Sequence, residues 1–348
     1  MPEISVIIAN WNGKHFLEDC LSSLRRQTFR DFETILVDNG SNDGSADYVR
    51  QNFPEVRLLA LAQNLGFTGG NIAGHKLAQG NLIVLLNNDT EADSEWLQEI
   101  RNASICFPDA GSFASKMMYF DDRRRIENCG FELSMAGTTS ELGRDELDSP
   151  EWAYPRKIFG ACAGAAAYRR NMLDDIGFLD PDFFMIYEDV DLSFRAQLAG
   201  YRCVYLPKAV VYHRYRSTIR KRPGTQVFYA QRNIELVYLK NLPTALVLRS
   251  APTRLLYEIG AFVYFFRFGA GTAFLRAKVA ALLKLPSILR KRWTIQKRKT
   301  VKNSELCAVL RRSAFSAKWK KFSAIRKASS ESISSSIRAQ KRVTERSR

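Results

Sequence analysis

Ile4-Ser5-Val6-Ile7-Ile8-Ala9 is a short, continuous, β-branched run that suits a strand covered on both faces, and it stops at Asn10-Trp11-Asn12-Gly13. Phe16, Leu17, Cys20, Leu21 and Leu24 then recur near a 3.6-residue period, which predicts a helix, and a second apolar run from Phe32 to Val37 ends at Asp38. The unit repeats. A helix from Ala46 to Asn52, a strand from Val56 to Leu61, a helix from Asn71 to Leu77 and a strand from Leu82 to Leu86 lead into Asn87-Asn88-Asp89. Such alternation predicts an α/β fold with a mainly parallel, doubly wound sheet. Ligands bind beyond the carboxyl ends of the strands in these sheets, so Asn10, Asp38 and Asp89 are expected to converge on one crevice.

Residues 111–160 are less regular, and the acidic stretch from Gly137 to Pro150 reads as a surface loop. Past Leu242 the apolar clusters Leu246-Val247-Leu248, Leu255-Leu256, Phe262-Val263 and Phe265-Phe266 are interrupted by Arg249, Arg254, Glu258 and Arg267. No window reaches the roughly 20 apolar residues that a spanning helix needs. Amphipathic helices lying on a membrane surface are expected over 245–289, with an ordinary helical pair packed on the core as the alternative.

The net charge of +16 falls within residues 290–348, where 19 Lys and Arg face three acids, so the rest of the chain is neutral. This basic tail, with a Ser-rich stretch from Ser329 to Ser336, is expected to be mobile and drawn to an anionic membrane surface. Nucleic-acid binding through the tail, with Trp293 and Trp319 among its cations, is the competing reading; it leaves residues 1–245 unexplained. The six cysteines are scattered without a CxxC pair, which excludes a disulfide framework and a zinc knuckle. Met1-Pro2-Glu3 runs directly into the first strand, so a cytoplasmic protein, peripheral on the inner face of the cell membrane, is expected.

Five stretches carry candidate chemistry. Asp38-Asn39-Gly40-Ser41-Asn42-Asp43-Gly44-Ser45 is either a plain turn or one whose strand-end carboxylate accepts the imino N–H of a pyrimidine. Asn64-Leu65-Gly66-Phe67-Thr68-Gly69-Gly70-Asn71 leads into a helix, where free N–H groups can meet a diphosphate. It matches neither the dinucleotide fingerprint nor the Walker lysine loop, which argues against a nicotinamide- or ATP-dependent enzyme. Asp89 either caps the helix that follows or shares Mg²⁺ or Mn²⁺ with substrate phosphates. Glu188-Asp189-Val190-Asp191 crowds three acids beside Phe183-Phe184, where one carboxylate can serve as a general base, although acids also suit a helix N-terminus. His213 closes a strand through Val210-Val211-Tyr212, next to Arg214 and Arg216.

Together these stretches resemble glycosyltransferase family 2, and within it the rhamnosyltransferase-like enzymes of bacterial polysaccharide synthesis. The resemblance runs over residues 3–245 through VIIANWNG, VDNGSNDGS, NLGFTGGN, LNNDT, GFLD and EDVDL, with His213 to Thr218 at its end. It implies a GT-A fold with a nucleotide-sugar-binding half over 1–110 and an acceptor-binding, catalytic half over 111–244. It implies an inverting transfer from dTDP-rhamnose or a UDP-sugar to a glycan or lipid-linked acceptor. The implied nucleotide-sugar site comprises Asn10, Asp38, Gly40, Asn64, Gly66, Asn71, Asn88 and Asp89. Asp189 is implied as the base, with Glu188 and Asp191 as supporting acids, and Asp89 with His213 as the metal ligands. One departure stands out: the usual DxD triplet is Asn87-Asn88-Asp89, an amide replacing the first carboxylate, so metal dependence is expected to be weak.

Overall fold

The computed structural model describes residues 1–214 and 223–311. The predicted alternation is present as β1 (Ile4–Asn10), α1 (Lys14–Arg25), β2 (Phe32–Asp38), α2 (Ser45–Asn52), β3 (Arg57–Ala60), α3 (Gly66–His75) and β4 (Leu82–Leu86). There follow β5 (Thr90–Ala92), α4 (Trp96–Cys106), β6 (Ala110–Tyr119), β7 (Ile126–Asn128), β8 (Phe131–Leu133) and β9 (Thr139–Glu141). A 3-10 turn (Pro150–Trp152), β10 (Arg156–Ile158), β11 (Ala165–Arg169), α5 (Arg170–Ile176), α6 (Glu188–Leu198) and β12 (Arg202–His213) complete the sheet region. The chain then becomes wholly helical: α7 (Pro223–Asn241), α8 (Thr244–Arg267), α9 (Gly271–Leu283), α10 (Leu285–Lys297) and α11 (Asn303–Val309).

The sheet runs β10-β12-β6-β11-β4-β1-β2-β3. The half formed by β4, β1, β2 and β3 is parallel; β11 is antiparallel to β4 and β6, and β12 lies parallel to β6. Helix α3 starts at Gly66, five residues before the expected Asn71, because the glycines of the loop wind into the helix itself. Their use is close approach: a Cβ on Gly74 would stand 2.5 Å from Ile7 Cγ2, so only a bare backbone lets α3 lie this tightly on β1.

The stretch expected to be irregular holds the ten-residue strand β6, Ala-Gly-Ser-Phe-Ala-Ser-Lys-Met-Met-Tyr, almost entirely buried. Small and polar residues hid it from a hydrophobic reading; buried Lys116 is neutralised by Asp148 at 2.8 Å. The expected loop over 137–150 contains β9, paired with β8.

Helices α7 to α11 share a core with the second half of the sheet region. Leu236, Val237 and Leu242 of α7 and its exit pack with Ile288, Leu306 and Leu310 against Phe131, Phe159, Phe183 and Phe194. The start of the tail is therefore ordered: Leu306 and Leu310 fill this cluster, and the Arg311 N–H donates to the Leu133 carbonyl at 2.8 Å. The remainder of the tail, 312–348, and the stretch 215–222 lie outside the described residues. Among the described residues no helix is long and apolar enough to cross a membrane.

Helix α6 is fixed to this core by buried charge. Asp191, fully buried, accepts from Arg195 Nε at 2.9 Å, from Lys240 Nζ at 2.7 Å and from Asn241 Nδ2 at 2.8 Å. Lys240 also meets Asp180 at 2.5 Å, and Arg195 donates to the carbonyls of Ile176, Gly177 and Phe178. Breaking a buried pair leaves an uncompensated charge in low dielectric. Lys240→Met is accordingly expected to lower stability by about 3 kcal/mol in urea unfolding; a loss below about 1 kcal/mol would mean that Arg195 and Lys291 neutralise both acids unaided.

Candidate functional site

Asn10 and Asp38 are register partners at the last positions of adjacent parallel strands, which is why residues so distant in sequence meet. The Asn10 amide donates to Asp38 Oδ1 at 3.3 Å, and its carbonyl oxygen accepts from Asn88 Nδ2 at 2.7 Å. The Ser41 N–H reaches Asp38 Oδ2 at 3.3 Å. At the ends of β1, β2 and β4, Asn10, Asp38 and Asn88 thus form one connected polar set, while Asp89 is engaged on its other side by His213.

The turn after β2 and the Gly-rich loop are tied by a side chain that the motif reading passed over. Asn39 donates to the Gly66 carbonyl at 2.9 Å and to Asn64 Oδ1 at 3.2 Å, while its oxygen accepts from the Leu65 N–H at 2.9 Å. Asn64 Oδ1 in turn accepts from the Gly66 N–H at 2.7 Å. Gly40 and Gly66 both sit at positive φ, +72° and +75°. A Cβ at Gly66 would also press on the carbonyl oxygen of Phe184, the atom that accepts the Thr68 N–H at 3.2 Å, so the aromatic stretch before α6 closes directly over this loop. Asn71 is buried and donates to the Phe67 carbonyl at 2.8 Å, bracing the first turns of α3.

On the other side, β5 pairs antiparallel with β12 and sets Thr90 opposite His213. His213 Nε2 lies 3.1 Å from Asp89 Oδ1, and Nδ1 lies 2.6 Å from Glu127 Oε2 on β7. Burial alone would lower the imidazolium pKa, but the hydrogen bonds to Asp89 and Glu127, together with their charges, outweigh it and raise the pKa to about 10. Glu127 had no signal in the sequence: it is a lone acid in a three-residue strand inside a region that reads as irregular.

Asp189 stands in the first turn of α6, where Oδ2 accepts the Ala163 N–H at 3.1 Å and Oδ1 the Val190 N–H at 2.8 Å. The neighbouring Gly164 carbonyl accepts the Asn87 N–H at 2.8 Å, so Ala163-Gly164 joins Asp189 to the Asn87-Asn88-Asp89 turn. Burial raises the Asp189 pKa, and the two N–H donors oppose it. Glu188 is buried with Oε2 lacking a partner among the described residues; burial, then the charge of Asp189, pushes its pKa well above the carboxylate range. Of the three clustered acids, Asp191 turns away into the core network.

The entry to α6 is strained. Ile186 and Tyr187 both take positive φ, +68° and +74°, a conformation costly for a β-branched and a bulky residue. Fully buried Asn233 of α7 donates to both the Met185 and the Ile186 carbonyls, at 2.9 and 2.6 Å, and holds the turn. An asparagine inside a helix, where it is a poor former, was its one faint sequence signal.

Residues 5–177, about half of the chain, match the family described as Glycosyl transferase family 2. The chain belongs to glycosyltransferase family 2. It is 26% identical over 269 residues, covering 66% of this chain and 85% of the relative, to N-acetylglucosaminyl-diphospho-decaprenol L-rhamnosyltransferase of Mycobacterium tuberculosis (strain CDC 1551 / Oshkosh). Among solved structures it is similar to GalNAc-T7 with UDP, GalNAc and Mn²⁺ (TM-score 0.55, 16% identity), covering 68% of this chain and 47% of that one, about half its length. It is also similar to S. aureus TarS 1-349 in complex with UDP (TM-score 0.54, 17% identity, 85% and 90% covered). At these identities the structural likeness establishes the GT-A fold. The family is that of the resemblance in the sequence.

A folded-state pKa above the ordinary 6.5 means that the His213 imidazolium stabilises the metal-free protein fully below about pH 6.5, and that this contribution is lost as pH rises through about 10. By NMR, the ring resonance absent from His213→Gln should titrate near the raised value, and Glu127→Gln should bring it down by at least about one unit. Titration near 6.5 in the metal-free wild type would contradict the geometry.

Proposed function

We propose that the chain transfers a glycosyl unit from a pyrimidine nucleoside diphosphate sugar, dTDP-rhamnose or a UDP-sugar, to a hydroxyl of a lipid-linked glycan, with inversion. The observation that carries the reading is the linkage of three chemically distinct parts in one crevice: Asp38 with Asn10, Asp89 with His213, and Asp189 joined to the latter through Ala163-Gly164. The mycobacterial relative acts on a diphospho-decaprenol glycan by its name, and two neighbours of the same fold hold UDP, which agrees with this donor and acceptor class.

In this mechanism Asp38 accepts the imino N–H of the base, with Asn10 and the Ser41 N–H fixing its two oxygens. The loop tied down by Asn39 and Asn64 turns the start of α3 toward the diphosphate, where backbone N–H groups favour anions. Asp189 takes the proton from the acceptor hydroxyl as it attacks. Its ionised form is accommodated by the Ala163 and Val190 N–H groups, and a protonated Glu188 beside it spares it a second negative charge.

A hard divalent cation bound by few protein donors commonly shares one or two of them with substrate phosphates. Asp89 and His213 would supply those donors, with Glu127 orienting the imidazole from behind, as carboxylates do for ligating histidines. Bound Mg²⁺ or Mn²⁺ would offset the charge growing on the leaving diphosphate. The cation must displace the His213 proton, so its affinity should rise with pH between 6.5 and about 10.

Purified full-length protein should be stabilised against thermal unfolding by one of dTDP-rhamnose and the UDP-sugars, and turn it over with a lipid-linked acceptor. Asp189→Asn should keep the stabilisation and lose at least about a thousandfold in kcat, whereas Asp38→Ala should lose the stabilisation. Indifference to every pyrimidine nucleotide, or an active Asp189→Asn, would overturn the proposal.

A further inference from the structure

Helices α8 and α9 carry a surface that the proposed transfer reaction does not use. On α8 the residues Ser250, Arg254, Tyr257 and Ala261 face inward, and Tyr257 and Ala261 pack with Phe274 of α9 over Ile234 of α7. The opposite faces are apolar and open. Leu256, Ile259, Val263 and Phe266 follow one another at helical spacing on α8 and are 61%, 54%, 60% and 47% exposed, and Leu282 and Leu283 on α9 reach 66% and 78%. Contiguous apolar surface of this kind marks an interaction site.

Charge identifies the occupant. Arg249, Arg267 and Arg276 are exposed on these two helices. The one acid on either helix is Glu258, and it pairs with Arg254 at 2.7 Å and Lys278 at 2.6 Å, between the helices and α7 rather than beside the exposed cations. The outer stripes thus present apolar side chains fringed by uncompensated positive charge. A second copy of the chain fits poorly, because a two-fold contact would set these arginines against themselves with no acid to answer them. Neither helix is long and apolar enough to span a bilayer.

We infer that the outer faces of α8 and α9 seat in the headgroup and upper acyl region of an anionic bilayer, lying along it rather than through it. Each well-placed arginine contributes attraction to anionic lipid, and the apolar side chains enter the interface. The inference is independent of the catalytic reading, since it concerns neither donor nor metal.

The test is co-sedimentation of the full chain with phosphatidylcholine vesicles, with and without phosphatidylglycerol, for the wild type, Ile259→Glu/Val263→Glu and Arg267→Glu/Arg276→Glu. All four positions are exposed, so the fold should survive, which the unchanged thermal shift with UDP or dTDP would confirm separately. The wild type should bind the anionic vesicles, and either double variant should bind about tenfold more weakly or worse. Salt should weaken the wild type without abolishing its binding, because the apolar contribution is not screened. Variants that sediment like the wild type would place the binding on the basic residues 312–348 instead and overturn the inference. So would a wild type that ignores vesicles, or one forming a lipid-independent dimer that Ile259→Glu/Val263→Glu dissociates.

Discussion

The placement of the Asp189 carboxylate depends on how α6 is held. A helix that begins with two left-handed non-glycine residues does not form on its own propensity, and its first turn carries three acids that repel one another. Two contacts from α7 offset this. Asn233 occupies the carbonyls of Met185 and Ile186, and Lys240 neutralises Asp191 on the inner face. The carboxylate that faces the crevice is thereby fixed by a helix lying outside the sheet. That helix is packed on α9 and α10 in turn, so the helical extension shares one core with the element that carries Asp189.

The two ends of the crevice are organised by opposite electrostatic means. At Asp189 and Glu188 burial raises both pKa values, which favours holding and accepting protons. At His213 two carboxylates converge on one imidazole and favour its charged form. Replacement of the usual first DxD carboxylate by Asn87 is consistent with this arrangement: Asn87 Nδ2 lies 3.4 Å from His213 Nε2, and Glu127 supplies from β7 a negative charge that the triplet lacks.

Much of the polar set around Asn10 and the Gly-rich loop was legible because each part of it sits at the end of an apolar strand or in a Gly-rich turn. Asn10 and Asp38 announce themselves by terminating continuous hydrophobic runs, and parallel register sets them side by side, whereas Asp89 is met by His213 only through the pairing of β5 with β12. Glu127 and Asn233 carry no such mark. Their partners are fixed by tertiary packing, Glu127 from a short strand at the β6 edge and Asn233 from a helix some 47 residues after the carbonyl it holds. Strand β6 was obscured for a related reason, since a strand whose neighbours are close-packed on both faces can be built from Ala, Gly and Ser as well as from Val and Ile. Asp191 shows the converse: it belongs to an acidic motif, yet it is consumed by the core.

The central claim is that one carboxylate, Asp189, acts as base in a single displacement at the anomeric carbon. The most direct test is the anomeric configuration of the product formed in the first turnovers, read by proton NMR with the donor that stabilises the protein. The account predicts inversion relative to the donor. Retention would require a second group to form and break a bond to the sugar, and would contradict the role assigned to Asp189.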